Sequence, residues 1–271
     1  MLKAAGLILN RQNEKAVQCA EKATEIFRRY GIMTTDPQHD HPSAYSPELI
    51  VSFGGDGTLL MGARFAMKYD IPLLGINLGT VGFLTEQDPD HLEEALDSII
   101  NGRYQTEDRS LLHVRNVDTN ESFYALNDAV ITRGGYARLI RVDASVNGKG
   151  YATFTADGII AATPTGSTGY SLSAGGPIVT PDMNCIIITP VCPHSMQHCP
   201  CIVPGDADIR FLLKPGREQS AELQIDGQNM GKLKAGDEIQ ISGTDKKIRL
   251  IRLHAYDFFG LMKQKLSEWG S

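Results

Sequence analysis

The chain has no apolar run near the ~18 residues needed to cross a bilayer, no block of basic residues, and only five cysteines among 271 residues. Each shortage excludes something. The first ten residues carry one lysine and too short an apolar stretch for a signal peptide, so the sequence predicts a cytoplasmic protein with no membrane role. A net charge of -6 without a basic block argues against nucleic acid as the main partner, and an anionic nucleotide then needs local cations or a metal. Cys19, Cys185, Cys192, Cys199 and Cys201 are odd in number and not spaced as a secreted disulfide scaffold. Internal repeats and low-complexity segments are also missing. With 42% hydrophobic and 21% charged residues, the chain is an ordinary globular sequence long enough for two domains.

What is there centres on Val51-Ser52-Phe53-Gly54-Gly55-Asp56-Gly57-Thr58-Leu59-Leu60. The apolar run Leu49 to Phe53 reads as a buried parallel strand, and Thr58 to Lys68 as a helix, so the glycines form a β-to-α turn. Open α/β sheets bind ligands at such turns, and a helix N-terminus there offers free N–H groups to phosphate. Glycines alone do not call for the carboxylate of Asp56, which a bound phosphate repels unless a cation or a hydroxyl lies between them. That points to Mg²⁺ chemistry or a proton acceptor. A tight turn with Asp56 capping the helix is the competing reading, and both stay open at this point.

Around this turn the N-terminal part alternates strands and helices. Ala4 to Leu9 reads as a strand, Asn13 to Arg29 as a helix with Val17, Ala20, Ala23 and Phe27 on one face, and Ile32 to Thr35 as a second strand. Asp36 to Glu48 is polar and proline-rich and reads as a mobile loop. Ile71 to Asn77 is another strand, and Asp88-Pro89 opens a helix ending near Asn101. Beyond Tyr104 the texture becomes β-rich. Leu111 to Val117, Phe123 to Thr132, Arg138 to Val146, Tyr151 to Thr155 and Ile159 to Ala162 read as strands, with Asn147-Gly148 a hairpin turn. Cys185 to Thr189, Ile209 to Leu213, Ala221 to Ile225, Glu238 to Ile241 and Lys247 to Leu253 continue the series, which predicts a two-sheet domain. Ala255 to Trp269 turns helical, with Phe258, Phe259, Met262 and Leu266 on one face.

A second informative stretch runs from Thr155 to Pro177, rich in small hydroxyls and glycines that offer neutral donors to sugar hydroxyls and phosphates. Tyr170, its one aromatic residue, can stack on a base. A plain surface loop is the competing reading. The lysine of a G-x-x-x-x-G-K-[ST] loop is absent.

The order Gly54-Gly55-Asp56-Gly57-Thr58, Leu126-Asn127-Asp128, Asp157-Gly158, Thr163-Pro164-Thr165-Gly166-Ser167-Thr168, Ser173-Ala174-Gly175-Gly176-Pro177 closely resembles bacterial NAD kinases. Asn77-Leu78-Gly79, Gly82-Phe83-Leu84 and Asp226-Gly227-Gln228 add to it, and the resemblance covers nearly the whole chain, from about Leu7 to about Phe258. It implies an α/β plus all-β protein. A Rossmann-like parallel-sheet domain, residues 1–102 with a returning tail helix at 254–271, would accompany a β-sandwich-like, NAD-binding domain at 103–253. It implies transfer of the γ-phosphate of ATP to the 2′-hydroxyl of the adenosine ribose of NAD, giving NADP, with a divalent cation, Mg²⁺, bound with ATP. Partners are NAD and ATP, with neither nucleic acid nor membrane, and a homo-oligomer, dimer or tetramer, is expected.

Residue by residue, the resemblance makes Asp56 the proton acceptor and Gly57 the gap left for the dinucleotide. Asn127 and Asp128 would bind the nucleoside; Asp157, Thr168, Gly169, Tyr170, Ser171, Leu172 and Ser173 match further NAD contacts. Arg138 and Gln228 occupy the remaining matching places, Arg138 as a phosphate ligand. There are departures. Thr155 stands where many members carry arginine, which leaves one cationic contact in doubt, and Gly169 replaces a common alanine. Cys192, His194, His198, Cys199 and Cys201 have the residue types of a zinc site but match no standard ligand spacing, so thiols without a metal are expected. Lipid kinases share the Gly-Gly-Asp-Gly turn, and a pyridine-nucleotide sensor would keep the second stretch; these are the two rival functions.

Overall fold

The computed structural model describes residues 2–39, 46–79, 82–86, 88–135, 138–195, 199–216 and 220–269, without the side chains of 266, 268 and 269. Two units divide the chain, Met1–Asp108 with Ile248–Ser271, and Arg109–Lys247. In the first, β1 (Ala4–Leu9) leads into α1 (Glu14–Arg29) through Asn13, whose side chain accepts from the N–H groups of Lys15 and Ala16 and so satisfies two of the helix's open donors. Ala16, Ala20, Ala23, Ile26 and Phe27 bury one face of α1; Val17, expected on that face, is only partly buried. Then come β2 (Met33–Thr35), β3 (Leu49–Phe53), α2 (Asp56–Tyr69), β4 (Leu73–Ile76) and α3 (Leu92–Ile100). Residues 36–39 and 46–48 of the expected loop form neither strand nor helix, and 40–45 lie outside the described residues. The strands pair in parallel, β1 lying between β2 and β3, and β3 beside β4. Because the chain moves from β1 to β2 on one side and returns to β3 on the other, the carboxyl ends of β1 and β3 form a topological switch point.

The second unit is antiparallel. Its strands are β5 (Gln105–Asn116, beginning in the first unit), β6 (Ser122–Ala125), β7 (Asp128–Arg133), β8 (Ile140–Val146), β9 (Lys149–Ala156) and β10 (Gly158–Ala162). A 3₁₀ turn at Thr165–Thr168 and the short α4 (Tyr170–Ser173) precede β11 (Cys185–Val191), β12 (Cys201–Pro204), β13 (Ile209–Leu213), β14 (Ala221–Ile225), β15 (Gln228–Leu233) and β16 (Glu238–Arg252). One sheet runs β12-β11-β10-β7-β14-β15; on the other, β13 lies between β8 and the first part of β16, with β9 beyond β8. Phe154, Phe211, Ile209 and Val142 from one sheet meet Ile131, Ile159, Ile186 and Leu223 from the other in a common core. Val130, Ile160, Ala162 and Ile187, on the opposite face of the six-stranded sheet, are covered by Val179. Burial on both faces explains why β10 reads as an unbroken apolar run. Asn147 and Gly148, at φ 51° and 72°, make the expected tight hairpin.

Several expectations are corrected. Phe123 to Thr132 is two strands, because Leu126 and Asn127 give their N–H groups to the Asp226 carboxylate instead of a ladder. The two strands expected at Glu238 to Ile241 and Lys247 to Leu253 are one, Glu238–Arg252; within it Gly243 allows a close approach, where a Cβ would stand 2.2 Å from the Gly205 carbonyl oxygen. Strands β12 and β15 had no counterpart in the sequence reading. The second part of β16 pairs in parallel with β4 through Leu250 and Leu73, and the tail continues into α5 (Phe258–Trp269). On α5 Phe258 is buried but Phe259 is 64% exposed, so the expected four-residue apolar face is not continuous, and the side chain of Leu266 lies outside the described residues.

Candidate active site

In the first unit β3, buried along its length, ends at Gly54-Gly55, and α2 begins at Asp56 with Gly55 as its N-cap and no side-chain cap. A Cβ on Gly54 would lie 2.2 Å from the Thr58 hydroxyl, so the turn closes only with glycine there. Asp56 does not cap its own helix. Its carboxylate reaches across to another segment, where it accepts from the N–H groups of Phe83 (2.9 Å), Leu84 (3.2 Å) and Thr85 (3.3 Å) and from the Thr85 hydroxyl (3.5 Å). The carboxylate therefore has a structural partner that the sequence reading did not foresee. Beside it the switch point opens into a crevice of about 750 Å³ lined by Asn10, Arg11, Gln12, Gln38, His39, Gly55, Gly57 and Thr58. Gly57 is exposed, with open space where a Cβ would project.

The second unit holds a separate polar cradle, built on the Asp226-Gly227 turn. Asp226 and Gly227, at φ 48° and 75°, join β14 to β15, and the Asp226 carboxylate accepts from the N–H groups of Leu126 (2.9 Å), Asn127 (2.7 Å) and Asp128 (3.1 Å). Those bonds fix the Asn127-Asp128 corner. Against it packs the Thr163 to Thr168 turn: Thr163 donates its hydroxyl to the Leu126 carbonyl at 2.6 Å, and a Cβ on Gly166 would stand 2.1 Å from the Asn127 carbonyl oxygen. Asn127 Oδ1 is buried with no hydrogen-bond partner among the described residues. Asp128 is 5% exposed, and burial, followed by the neighbouring charge of Asp226, pushes its carboxyl up to about 7.

Asp157, between β9 and β10, pairs with Arg133 (Nε to Oδ1, 2.6 Å). Tyr170 is 43% exposed; burial of the rest of its phenol, and then the charges of Cys192, Asp157 and Asp128, raise its pKa. The cradle thus gathers Asn127, Asp128, Asp157 and Tyr170, with Gly169 beside the Asn127 amide, where a Cβ would sit 3.7 Å from Nδ2. The hydroxyl-rich stretch is less open than its composition implied. Ser167 bonds the carbonyls of Pro164 and Val179, Ser171 bonds Thr189, and Thr168 turns to the Thr165 carbonyl. These hydroxyls shape the turn, whereas Ser173 is exposed and Leu172 half-buried. Arg138 is exposed ahead of β8, and Gln228 is exposed at the first position of β15.

Sequence reasoning gave no role to Arg133, Asp226 or the 83–85 amides. Arg133 supplies a cation beside Asp157 where Thr155 had left one in doubt. Asp226 and Phe83 lie in the Asp226-Gly227-Gln228 and Gly82-Phe83-Leu84 motifs, so a signal was present, but nothing in the linear sequence shows what they bind. Of the cysteine and histidine set, His198 lies outside the described residues, and no group of three or more metal-ligating side chains occurs among the described ones.

Two family models match the chain, the ATP-NAD kinase N-terminal domain over residues 35–104 and the ATP-NAD kinase C-terminal domain over 126–253. They define a two-domain kinase acting on a nucleotide. An NAD kinase of Citrifermentans bemidjiense is 42% identical over 230 residues, 84% of this chain and 80% of that protein. One from Ruminiclostridium cellulolyticum is 33% identical over 282 residues, 98% of this chain and 99% of that protein. Among solved structures, a yeast NADH kinase complexed with NADH superimposes with a TM-score of 0.85 at 26% identity, covering 98% of this chain and 88% of that one. An NAD kinase from Archaeoglobus fulgidus in complex with ATP gives 0.75 at 27% identity, covering 93% and 94%. The chain belongs to the NAD kinase family, and it is an enzyme that phosphorylates NAD to NADP with ATP.

Proposed function

We propose that Asp56 is the residue that orients the 2′-hydroxyl of the NAD adenosine ribose and accepts its proton as the γ-phosphoryl group of ATP is transferred. In phosphoryl transfer the protein mainly positions the reactants and balances charge. The observation that carries the reading is the placement of Asp56, a carboxylate fixed by three main-chain amides at the start of α2 and next to the switch-point crevice. ATP enters that crevice, its phosphates facing the free N–H groups of the α2 N-terminus and the Arg11 guanidinium at its rim. A divalent cation, Mg²⁺, would come in with ATP as part of the substrate and neutralise charge on its phosphates.

The acceptor is gripped by the second unit. Asn127 and Asp128 take the nucleoside, Tyr170 stacks on a ring, and Asp157, Thr168, Gly169, Leu172, Ser173, Arg138 and Gln228 line the rest, while Ser171 holds the turn from within. What supports this is the buried, unpartnered Asn127 oxygen, which a ligand donor would satisfy. The α/β domain, expected at 1–102 with 254–271, is taken to be the unit 1–108 with 248–271, and the NAD-binding domain, expected at 103–253, the unit 109–247. A cytoplasmic homo-oligomer is proposed, and no described helix is long and apolar enough to cross a membrane. The test is the Asp56→Asn enzyme incubated with ATP, Mg²⁺ and NAD. NADP formation should drop by about 10² to 10⁴, the range for a general base; wild-type turnover would remove Asp56 from this role.

A further inference from the structure

Asp56 sits where the 83–85 main chain puts it, so whatever holds that main chain controls the carboxylate. The segment 82–86 has no helix or strand of its own. Glu86 N–H bonds the Gly75 carbonyl in β4 at 3.1 Å, and most of the remaining anchors come from the segment that ends β16. Tyr256 donates its hydroxyl to the Phe83 carbonyl at 3.3 Å, and Arg252 Nη1 donates to the Leu84 carbonyl at 3.2 Å. Leu253 and His254 give their N–H groups to Glu86 Oε1 at 2.7 and 3.0 Å.

Two of these contacts share a peptide group with a bond to Asp56. The Phe83 carbonyl and the Leu84 N–H belong to one planar unit, with Tyr256 at one end and Asp56 at the other. The Leu84 carbonyl and the Thr85 N–H belong to the next, with Arg252 at one end and Asp56 at the other. Since a peptide group is rigid and planar, fixing its oxygen fixes the direction of its N–H. A cation on the oxygen also polarises the group and strengthens the N–H as a donor. Arg252 is itself locked: 5% exposed, it bonds Glu107 Oε2 at 2.7 Å and Glu86 Oε2 at 3.3 Å, and its guanidinium lies 4.4 Å from the centre of the Tyr256 ring.

We infer that Arg252, with Tyr256, is a positioning residue for the reaction, setting the Asp56 carboxylate through the 83–84 and 84–85 peptide groups. The inference rests on Asp56 being the group that acts on the acceptor hydroxyl. Arg252 is not among the residues that line the crevice proposed for ATP, so its effect should fall on turnover and not on binding.

The test compares Arg252→Lys, which keeps the charge but loses the fork, and Tyr256→Phe, which loses only the hydroxyl, each alone and combined with Asp56→Asn. Displacing a reacting group by about 1 Å can lower a rate by about 10², so Arg252→Lys should lower kcat by up to about that factor and Tyr256→Phe by a smaller one. KM for NAD and for ATP should stay within about twofold, and in the Asp56→Asn background neither substitution should lower kcat further. Wild-type kcat in both single variants, or the same further loss on top of Asp56→Asn, would overturn the inference and leave Arg252 a purely structural cation. If Arg252→Lys does not fold, Tyr256→Phe decides between the two outcomes. Full activity of Asp56→Asn alone would instead overturn the role of Asp56, a result distinguishable from failure of the positioning step.

Discussion

Gly82 faces the Asp56 carboxylate so closely that a Cβ on it would stand 2.0 Å from Oδ1 and 2.6 Å from Cγ. The pair behaves as one fitted unit, and Gly82→Ala is a steric probe of it. The methyl group must displace the carboxylate from the amides of Phe83, Leu84 and Thr85. Overpacking of this kind costs about 1–3 kcal/mol, so the variant should melt lower by several degrees. Its kcat should fall by about 10², because the displacement is at the proposed proton acceptor. Turnover unchanged in a stably folded Gly82→Ala protein would show that the position of Asp56 is immaterial.

Asp128 predicts a pH dependence of stability. Its carboxyl is raised from an ordinary 3.8 to about 7, chiefly by burial and then by Asp226. The stability linked to the protonated group is therefore full below about 3.8, is lost as pH rises, and stops changing above about 7. An asparagine in its place cannot ionise, so the Tm of Asp128→Asn minus that of the wild type, measured without ligand, should grow from pH 5 to pH 7 and then level off. A difference independent of pH would contradict the shift.

For Asn127 stability and binding should separate. Its Oδ1 is buried without a partner among the described residues, so Asn127→Ala removes a group already carrying a desolvation penalty, of the order of 1–3 kcal/mol. Tm should hold or rise slightly, while KM for NAD increases and kcat changes little. A large loss of Tm with unchanged KM would make Asn127 a framework residue.

Tyr170 should matter for the acceptor and not for the donor. Stacking on a base is worth roughly 1–3 kcal/mol, so Tyr170→Ala should raise KM for NAD about 5- to 150-fold. Because the ring is 43% exposed, the melting temperature should barely move. An equal rise in KM for ATP would reassign the ring.

The parts legible in the sequence were those governed by neighbours in the chain. Asn147-Gly148 announced its hairpin because both central residues need positive φ, and α1 announced itself because Ala20, Ala23 and Phe27 recur at helical spacing and all three are buried. The turn carrying Asp56 was readable as strand, glycines and helix. Its partners were not, since Phe83 to Thr85 lie 27 to 29 positions further along and no periodicity links them. The same holds for Asp226, nearly a hundred residues from Asn127, and for Arg133 opposite Asp157. Composition misled where side chains bond inward. Ser167 and Ser171 look like ligand donors in a hydroxyl-rich run, yet both are fully buried and engaged with the framework.

The strand partner of β4 is encoded far from it, Leu250 pairing with Leu73, and this imposes an order on synthesis. Arg109–Lys247 has emerged whole before the last strand of the first unit exists. At about 5–20 residues per second, the ribosome needs roughly nine to thirty-five seconds to pass from Leu73 to Leu250. Throughout that interval the outer edge of β4 has no neighbour, and Glu107 lacks the guanidinium it will later bond. The nascent chain thus carries an unprotected strand edge for the whole of that interval, and of the two units the one begun first is completed last.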